Sequence, residues 1–415
     1  MKDQTKDKAI SKIVCTITNE PDKAKDAGLW RDLVAFWFLG ICNNYGFIVM
    51  LAAAHDIIHE LSPDQPSDVK FVRNCNSMST GTVLLADIVP AIIIKIFSSF
   101  VVGFVHTKVI MAMILTIISF VTVAFADTEW LALLGVVLTS LSMGLGETAL
   151  VGYLTRFNRS CISCWSSGTG GAGLIGTISY SAMKQIGISN KTLMLCMISV
   201  PIFEAFIFWG LLRHRELPKT EENEETEVKD AEKQEELGAP SILDRIKYIP
   251  KLLRYMIPLF IVYFSQYFIN QGLLELIYFP NIWLKKADQY RWFQATYQIS
   301  VFISRSSINL VKFKAVWLLA LLQCGNLVYL LFEAIYYFSP NIYVVFLVVF
   351  LEGLFGGGAY AKTFYRVSEE IPERQRQFSM SIITVSDTPG IALSGLIAMP
   401  VHNAICNLPI PGRLL

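Results

Sequence analysis

Long apolar runs, separated by short polar stretches, set the pattern of this chain from residue 30 onward. Eleven runs are predicted to be helices, near 31–54, 80–104, 109–126, 130–155, 166–187, 192–212, 255–279, 291–311, 315–338, 342–365 and 379–401. Most approach or exceed the roughly 20 residues that carry a helix across a hydrocarbon core. No strand-like alternation between turns recurs, which argues against an outer-membrane barrel. The expected fold is all-α, a polytopic membrane protein of about eleven transmembrane helices.

Composition agrees, with 53% of the 415 residues hydrophobic and 17% charged, where a soluble domain carries roughly a quarter charged residues. The net charge of +1 gives no reason to expect nucleic acid as a partner. Met1 to Gly28 is rich in Lys and Asp and has no apolar core, so it does not read as a secretory signal. With a cytosolic N-terminus and alternating spans, most of the 35 Lys and Arg fall on the cytosolic side, as the positive-inside rule demands. The odd span count then places the C-terminus in the lumen.

The expected organisation is a cytosolic tail over 1–29, a first half of six helices over 30–213, an acidic cytosolic linker over 214–253, a second half of five helices over 254–401 and a lumenal tail over 402–415. The linker holds Glu221, Glu222, Glu224, Glu225, Glu227, Asp230, Glu232, Glu235 and Glu236, a charge run that buries too little apolar area to fold. Ile242 and Leu243 after it form a candidate sorting-adaptor signal. Its spacing is loose, because Gly238 stands where an acidic residue is wanted, and a solvated linker is the preferred reading.

Corresponding spans of the two halves echo each other. Asn43-Asn44-Tyr45 pairs with Ser265-Gln266-Tyr267, Gly144-Leu145-Gly146-Glu147 with Glu352-Gly353-Leu354-Phe355-Gly356, and Ser167-Gly168-Thr169-Gly170-Gly171 with Ser386-Asp387-Thr388-Pro389-Gly390. Such parallel repeats are similar to those of the major facilitator superfamily, where the substrate sits between the halves near the midplane. A 6+5 arrangement lacks the usual twelfth span. Gly168, Ala172 and Gly176, and likewise Gly353, Gly357 and Ala361, put small residues on one helix face for close packing. Gly168 to Gly173 also satisfies G-x-G-x-x-G, but no strand or βαβ unit surrounds it, so a dinucleotide site is rejected.

Charges inside a span cost on the order of 3 kcal/mol or more at the centre, so they face a partner or a cavity. The candidates are Asp87, Lys95, Glu147, Glu204, Glu275, Arg305, Glu333, Glu352, Lys362 and Asp387. Asp87 and Lys95, eight residues apart, can both face inward from one helix. Glu333 is expected near a span end, in reach of solvent, and Lys362 to snorkel. The substrate-binding or coupling residues expected are Glu147, Glu275, Arg305 and Asp387, joined by the neutral Asn43, Asn44 and Gln323. Arginine's fork suits phosphate or carboxylate, and a buried carboxyl can exchange a proton. Asp87, Lys95 and Glu352 are kept as further intramembrane charges, with structural ion pairing as the competing explanation.

His55 and His59 flank Asp56 at the expected end of the first span. With five histidines in all and no third ligand evident, no metal site is assigned, and no cofactor either. Eight cysteines show no disulfide framework; Cys161 and Cys164 form a C-x-x-C without a thioredoxin-like context. Cys75 and Cys406, the two on the lumenal side, are a candidate pair. Of the sequons at Asn158 and Asn190, the topology leaves Asn190 as the glycosylation candidate.

Several long stretches carry a family resemblance: Phe36-Trp37, Gly40 to Asn44, Ala53 to Ile57, Cys75 to Ser77, Leu84 to Ile88, Trp165 to Gly173, Tyr267 to Leu273, Ser304 to Ser307, Leu322 to Cys324 and Ser386 to Thr388. In this order the chain closely resembles the battenin family, the lysosomal membrane proteins of neuronal ceroid lipofuscinosis (Batten disease). The resemblance implies a lysosomal or late-endosomal protein with a fold related to the major facilitator superfamily. It implies a role in clearing glycerophosphodiesters, and in lysosomal pH, basic amino acid handling and trafficking. Many members end in a prenylation box. Here Cys406 is followed by nine residues ending Gly412-Arg413-Leu414-Leu415, so a prenyl anchor is not carried over.

The expected function is transport, not catalysis. The partners are a small polar or anionic, glycerophosphodiester-like solute, protons, the lipid bilayer and sorting adaptors. The alternative is a trafficking scaffold acting through the cytosolic tail and linker. No nucleophile–base pair or metal cluster stands at catalytic spacing.

Overall fold

The computed structural model describes residues 29–61, 80–214, 241–280, 282–307 and 315–409. These residues form eleven helices: α1 (Leu29–Leu61), α2 (Thr80–Phe100), α3 (Val105–Ala124), α4 (Glu129–Tyr153), α5 (Ser160–Gln185), α6 (Asn190–Leu211), α7 (Ile242–Leu273), α8 (Lys286–Ser306), α9 (Val316–Tyr336), α10 (Ile342–Glu370) and α11 (Glu373–Cys406). Among the described residues, eight are long and apolar enough to cross a membrane. The hydroxyl- and glycine-rich α5 is buried from Cys161 to Gly173. Its polar face therefore meets neighbouring helices and not lipid.

The two halves repeat one packing scheme. In the first, α1 lies on α5, α2 on α4 and α3 on α4; in the second, α7 lies on α11, α8 on α10 and α9 on α10. The sequence echoes coincide with equivalent contacts, since the Asn43 side chain meets α4 at Gly146 and the Gln266 side chain meets α10 at Gly356. Between the halves, α5 packs on α8 and α2 on α11.

Lipid tails are as apolar as leucine, so close backbone approach and polar links hold such helices together. A Cβ on Gly40 would lie 2.7 Å from the Trp165 carbonyl oxygen, and one on Gly168 would collide with the Trp37 carbonyl. Gly170, on another face of α5, leaves room for Arg305 and the Phe302 backbone of α8. The glycine run that mimics a dinucleotide motif thus wedges α5 between α1 of its own half and α8 of the other.

Several boundaries differ from expectation. Helix α7 starts at Ile242, not near 255, because Ser241 and Asp244 form a capping box: the Ser241 hydroxyl accepts from the Asp244 N–H and the Asp244 carboxylate accepts from the Ser241 N–H. Ile242 and Leu243 sit in its exposed first turn. Helix α1 runs on to Leu61, so His55 and His59 lie within it. Glu333 is fully buried and accepts the Ser339 N–H at 2.7 Å, which corrects the expectation of a solvated span end. Cys406 is disulfide-bonded, as is Cys164; Cys75 lies outside the described residues, as do 215–240 and 410–415.

The largest difference is in α11, expected as one uninterrupted span. It consists of Glu373–Ile383 and Asp387–Cys406, broken at Thr384 to Ser386. Pro389 has no N–H to donate and fits only the first turn of a helix, so the chain restarts there. Helix α6 is likewise interrupted beside Ser199 and ends in a π turn, Phe206–Leu211, while α7 ends in another, Phe268–Leu273.

Candidate functional site

Lys95, on α2, lies at the break in α11. Its ammonium is 2.7 Å from Glu147 Oε2 of α4 and 3.1 Å from Asp387 Oδ1 of α11. It also donates to the Thr384 carbonyl and to Thr388 Oγ1, each at 3.0 Å. The interruption exposes the Thr384 carbonyl at the negative end of a half-helix, a favourable place for a cation. Thr388 in turn donates to Asp387 at 2.7 Å. A fully buried lysine is thereby matched by two carboxylates and two further oxygens, as buried charge requires.

The second carboxylate extends the network. Tyr360 of α10 donates to Glu147 Oε1 at 3.1 Å, and Trp165 of α5 donates to the Tyr360 hydroxyl at 3.3 Å. The Arg305 guanidinium lies over the Tyr360 ring, 4.3 Å from its centroid. It donates to Thr169 Oγ1 of α5 at 2.6 Å and to the Tyr263 hydroxyl of α7 at 3.0 Å. Arg305 forms no ion pair with a described residue, and its buried Nε–H has no acceptor. Six links of this cluster cross between the halves: Lys95 to Thr384, Asp387 and Thr388, Tyr360 to Glu147, Trp165 to Tyr360, and Arg305 to Thr169.

Of the four charged residues expected to act together, Glu147, Asp387 and Arg305 meet here. Glu275 does not; it lies past the π turn of α7, within electrostatic reach of Tyr290. Asp87 is buried with one oxygen unpartnered, and its electrostatic neighbour is Tyr267, not Lys95. Glu352 is fully buried and accepts from Asn270 Nδ2 at 2.8 Å. Asn43 donates to the Met143 carbonyl at 3.5 Å and Asn44 to the Gly40 carbonyl at 3.1 Å. Gln323 is fully buried on α9 with neither amide atom partnered. Asn190 is buried in the first turn of α6, its oxygen held by Lys184 at 2.9 Å.

Sequence reasoning gave no site role to Thr169, Tyr263, Tyr360, Thr384 or Thr388. Pro389, two residues after a charge in an apolar stretch, was a signal for the break that supplies Thr384 and Thr388. The tyrosines carried none, because aromatic residues fill apolar helices throughout the chain.

Two pseudo-repeated helical halves, meeting at a buried network of opposite charges, define a multi-pass membrane protein of the major facilitator fold. Solved structures with this architecture include the fucose:proton symporter FucP of E. coli (TM-score 0.57, 13% identity, 89% of this chain and 95% of that one). A bacterial homologue of the human lysosomal transporter Spinster, inward-facing and unoccupied, also matches (TM-score 0.56, 14% identity, 91% and 82%). The family is closer at hand: residues 34–408 match the CLN3 protein model, and the chain belongs to the CLN3 protein family. It is 41% identical to Battenin of Canis lupus familiaris, over 94% of each chain. It is 33% identical to Protein BTN1 of Yarrowia lipolytica, over 91% of this chain and 95% of that one.

Proposed function

We propose that this protein is a lysosomal membrane transporter that carries a small anionic solute of the glycerophosphodiester class between its two halves. The observation that carries the reading is Arg305. It is a guanidinium at the junction of α5, α7, α8 and α10, held by hydroxyls and a ring face, with no carboxylate partner among the described residues. Hydroxyl partners orient the fork without neutralising it, which leaves its charge for a phosphate or carboxylate. Asp387, bound to Lys95, and Glu147, bound to Tyr360, would lock the halves in one arrangement, and rocking between arrangements would exchange these links. Under this reading the acidic linker faces the cytosol, and the protein contributes to lysosomal pH and basic amino acid balance through the solutes it moves.

The test is uptake of labelled glycerophosphodiester into proteoliposomes holding the purified full-length protein, with and without a pH gradient. Saturable, protein-dependent flux that Arg305→Ala abolishes is the expected result. Absence of flux under every gradient, with a folded protein, would overturn the reading.

A second reading, a trafficking scaffold, draws on Ile242 and Leu243, which are 63% and 59% exposed beside the linker. It expects Ile242→Ala/Leu243→Ala to redistribute the protein among compartments while leaving proteoliposome flux unchanged.

A further inference from the structure

A second polar centre lies inside the second half, apart from the Lys95 network. The carboxyl of Glu352 on α10 has no solvent exposure. One oxygen accepts from Asn270 Nδ2 at 2.8 Å, and the other, Oε2, has no partner. Asn270 donates its remaining N–H to the Gln266 carbonyl at 2.9 Å, and its own buried Oδ1 is also unpartnered. Asn270 sits in the π turn of α7, whose irregular backbone is further engaged by α8: Gln294 and Tyr290 donate to the Asn270 carbonyl at 3.2 and 3.4 Å.

Among the described residues, the groups around Glu352 bring no cation to it. From α8 the titratable neighbour is Tyr297, whose hydroxyl feels Glu352, while Arg305 is held at Thr169 and Tyr263. From α7 come the neutral Asn270 and Gln266. On α9 the charged residue is Glu333, occupied with the Ser339 N–H. Helix α5 carries Lys184, held at Asn190. On α11, Asp387 is bound to Lys95, and His402 places Nδ1 3.3 Å from the Gly272 carbonyl, two residues from Asn270. Both interior cations with a carboxylate or a solute to serve, Lys95 and Arg305, are thus committed elsewhere. An ionised Glu352 would be an uncompensated buried charge, whereas a protonated one is a neutral acid hydrogen-bonded to an amide.

We propose that Glu352 carries an exchangeable proton and is the proton-coupling group of this protein, with Asn270 as its positioning partner. The proton binds a carboxylate oxygen when the site opens to the acidic side, and leaves it when the site opens to the neutral side. The coupling role rests on the transport reading above; the protonation does not.

Two measurements keep the two claims separate. Infrared spectra of the purified full-length protein at neutral pH are expected to contain a protonated-carboxyl absorption that Glu352→Gln removes and His402→Gln leaves in place. Asn270→Ala, which keeps the carboxyl, is expected to shift that band, so the result does not depend on one variant folding. Identical bands in wild type, Glu352→Gln and Asn270→Ala would overturn the protonation, whatever the protein transports. In proteoliposomes, one unit of pH gradient supports about tenfold solute accumulation for a one-to-one exchange of free energy. Glu352→Gln should lose that gradient-driven accumulation while retaining solute exchange without a gradient. Gradient-driven accumulation equal to wild type would overturn the coupling role. Loss of flux from wild type itself would instead count against the transport reading.

Discussion

Lys95 of α2 and Asp387 of α11 lie 3.1 Å apart across the boundary between the two halves, although 292 residues separate them in sequence. The contact exists because α11 breaks where it does. Without the break, the Thr384 carbonyl would be spent inside a helix and Lys95 would lose one of its four oxygen partners.

Lys95 has two carboxylates, whereas each carboxylate has one lysine, so the three substitutions should differ in cost. Lys95→Met strands both acids and is expected to destabilise the protein by about 3–5 kcal/mol. Glu147→Gln and Asp387→Asn leave Lys95 with its other acid and should each cost less. Thermal unfolding in detergent orders the three variants. A Lys95→Met protein more stable than either acid variant would contradict the arrangement.

At Arg305, charge and shape are separable. Arg305→Lys retains the cation but cannot span Thr169 Oγ1 and Tyr263 with one planar group. Solute uptake is expected to fall at least about tenfold, the equivalent of 1.4 kcal/mol, with a smaller change in thermal stability. Full activity in Arg305→Lys would mean that a point charge suffices.

Glycines of α5 and α9 should respond in opposite directions. Gly168→Val pushes a side chain into the Trp37 backbone and is expected to cost at least about 1–3 kcal/mol, as overpacking does. Gly325 on α9 has nothing within 4 Å of its would-be Cβ. Gly325→Ala should therefore be neutral or stabilise by about 0.5–1 kcal/mol. Unfolding midpoints of the two variants check both signs.

Outside the spans, His214 follows the π turn of α6, with its ring 4.7 Å from that of His106 and its Nδ1 3.2 Å from the Tyr153 hydroxyl. Burial, reinforced by His106, holds its pKa below the ordinary imidazole value. The unfolded chain therefore binds the proton more tightly. The stability this group contributes is present above about pH 6.5 and declines as pH falls through the lower, folded value. Unfolding midpoints measured from pH 7.5 to 5 are expected to drop further in wild type than in His214→Gln. Parallel curves would show that the pair is not felt by folding.

The helical class, the number of long helices and the pairing of the halves were legible in sequence. Span length and apolar composition depend on the solvent around a helix, which each segment meets by itself. The internal echoes were legible too, because Asn43 and Gln266 do the same job against Gly146 and Gly356. The charged centre was legible only in part. An ionisable residue in a span announces that it needs a partner, and Glu147, Arg305 and Asp387 could be named on that ground.

Which partner each one has was a matter for the tertiary structure. Lys95 meets Asp387 instead of Asp87, Arg305 rests on Tyr360, and Glu352 is left with an amide; Glu275 is elsewhere. These outcomes depend on how α2, α8, α10 and α11 cross, and on a three-residue interruption of α11. Neither hydropathy nor spacing along one helix encodes a crossing between two. The sequence by itself determined that buried charges would need matching inside a helical bundle, since the energy of an unpaired ion in hydrocarbon is a property of the residue. Only the packed structure decided the matches, because ion pairs and hydrogen bonds act over a few ångströms and exist only once the helices have met.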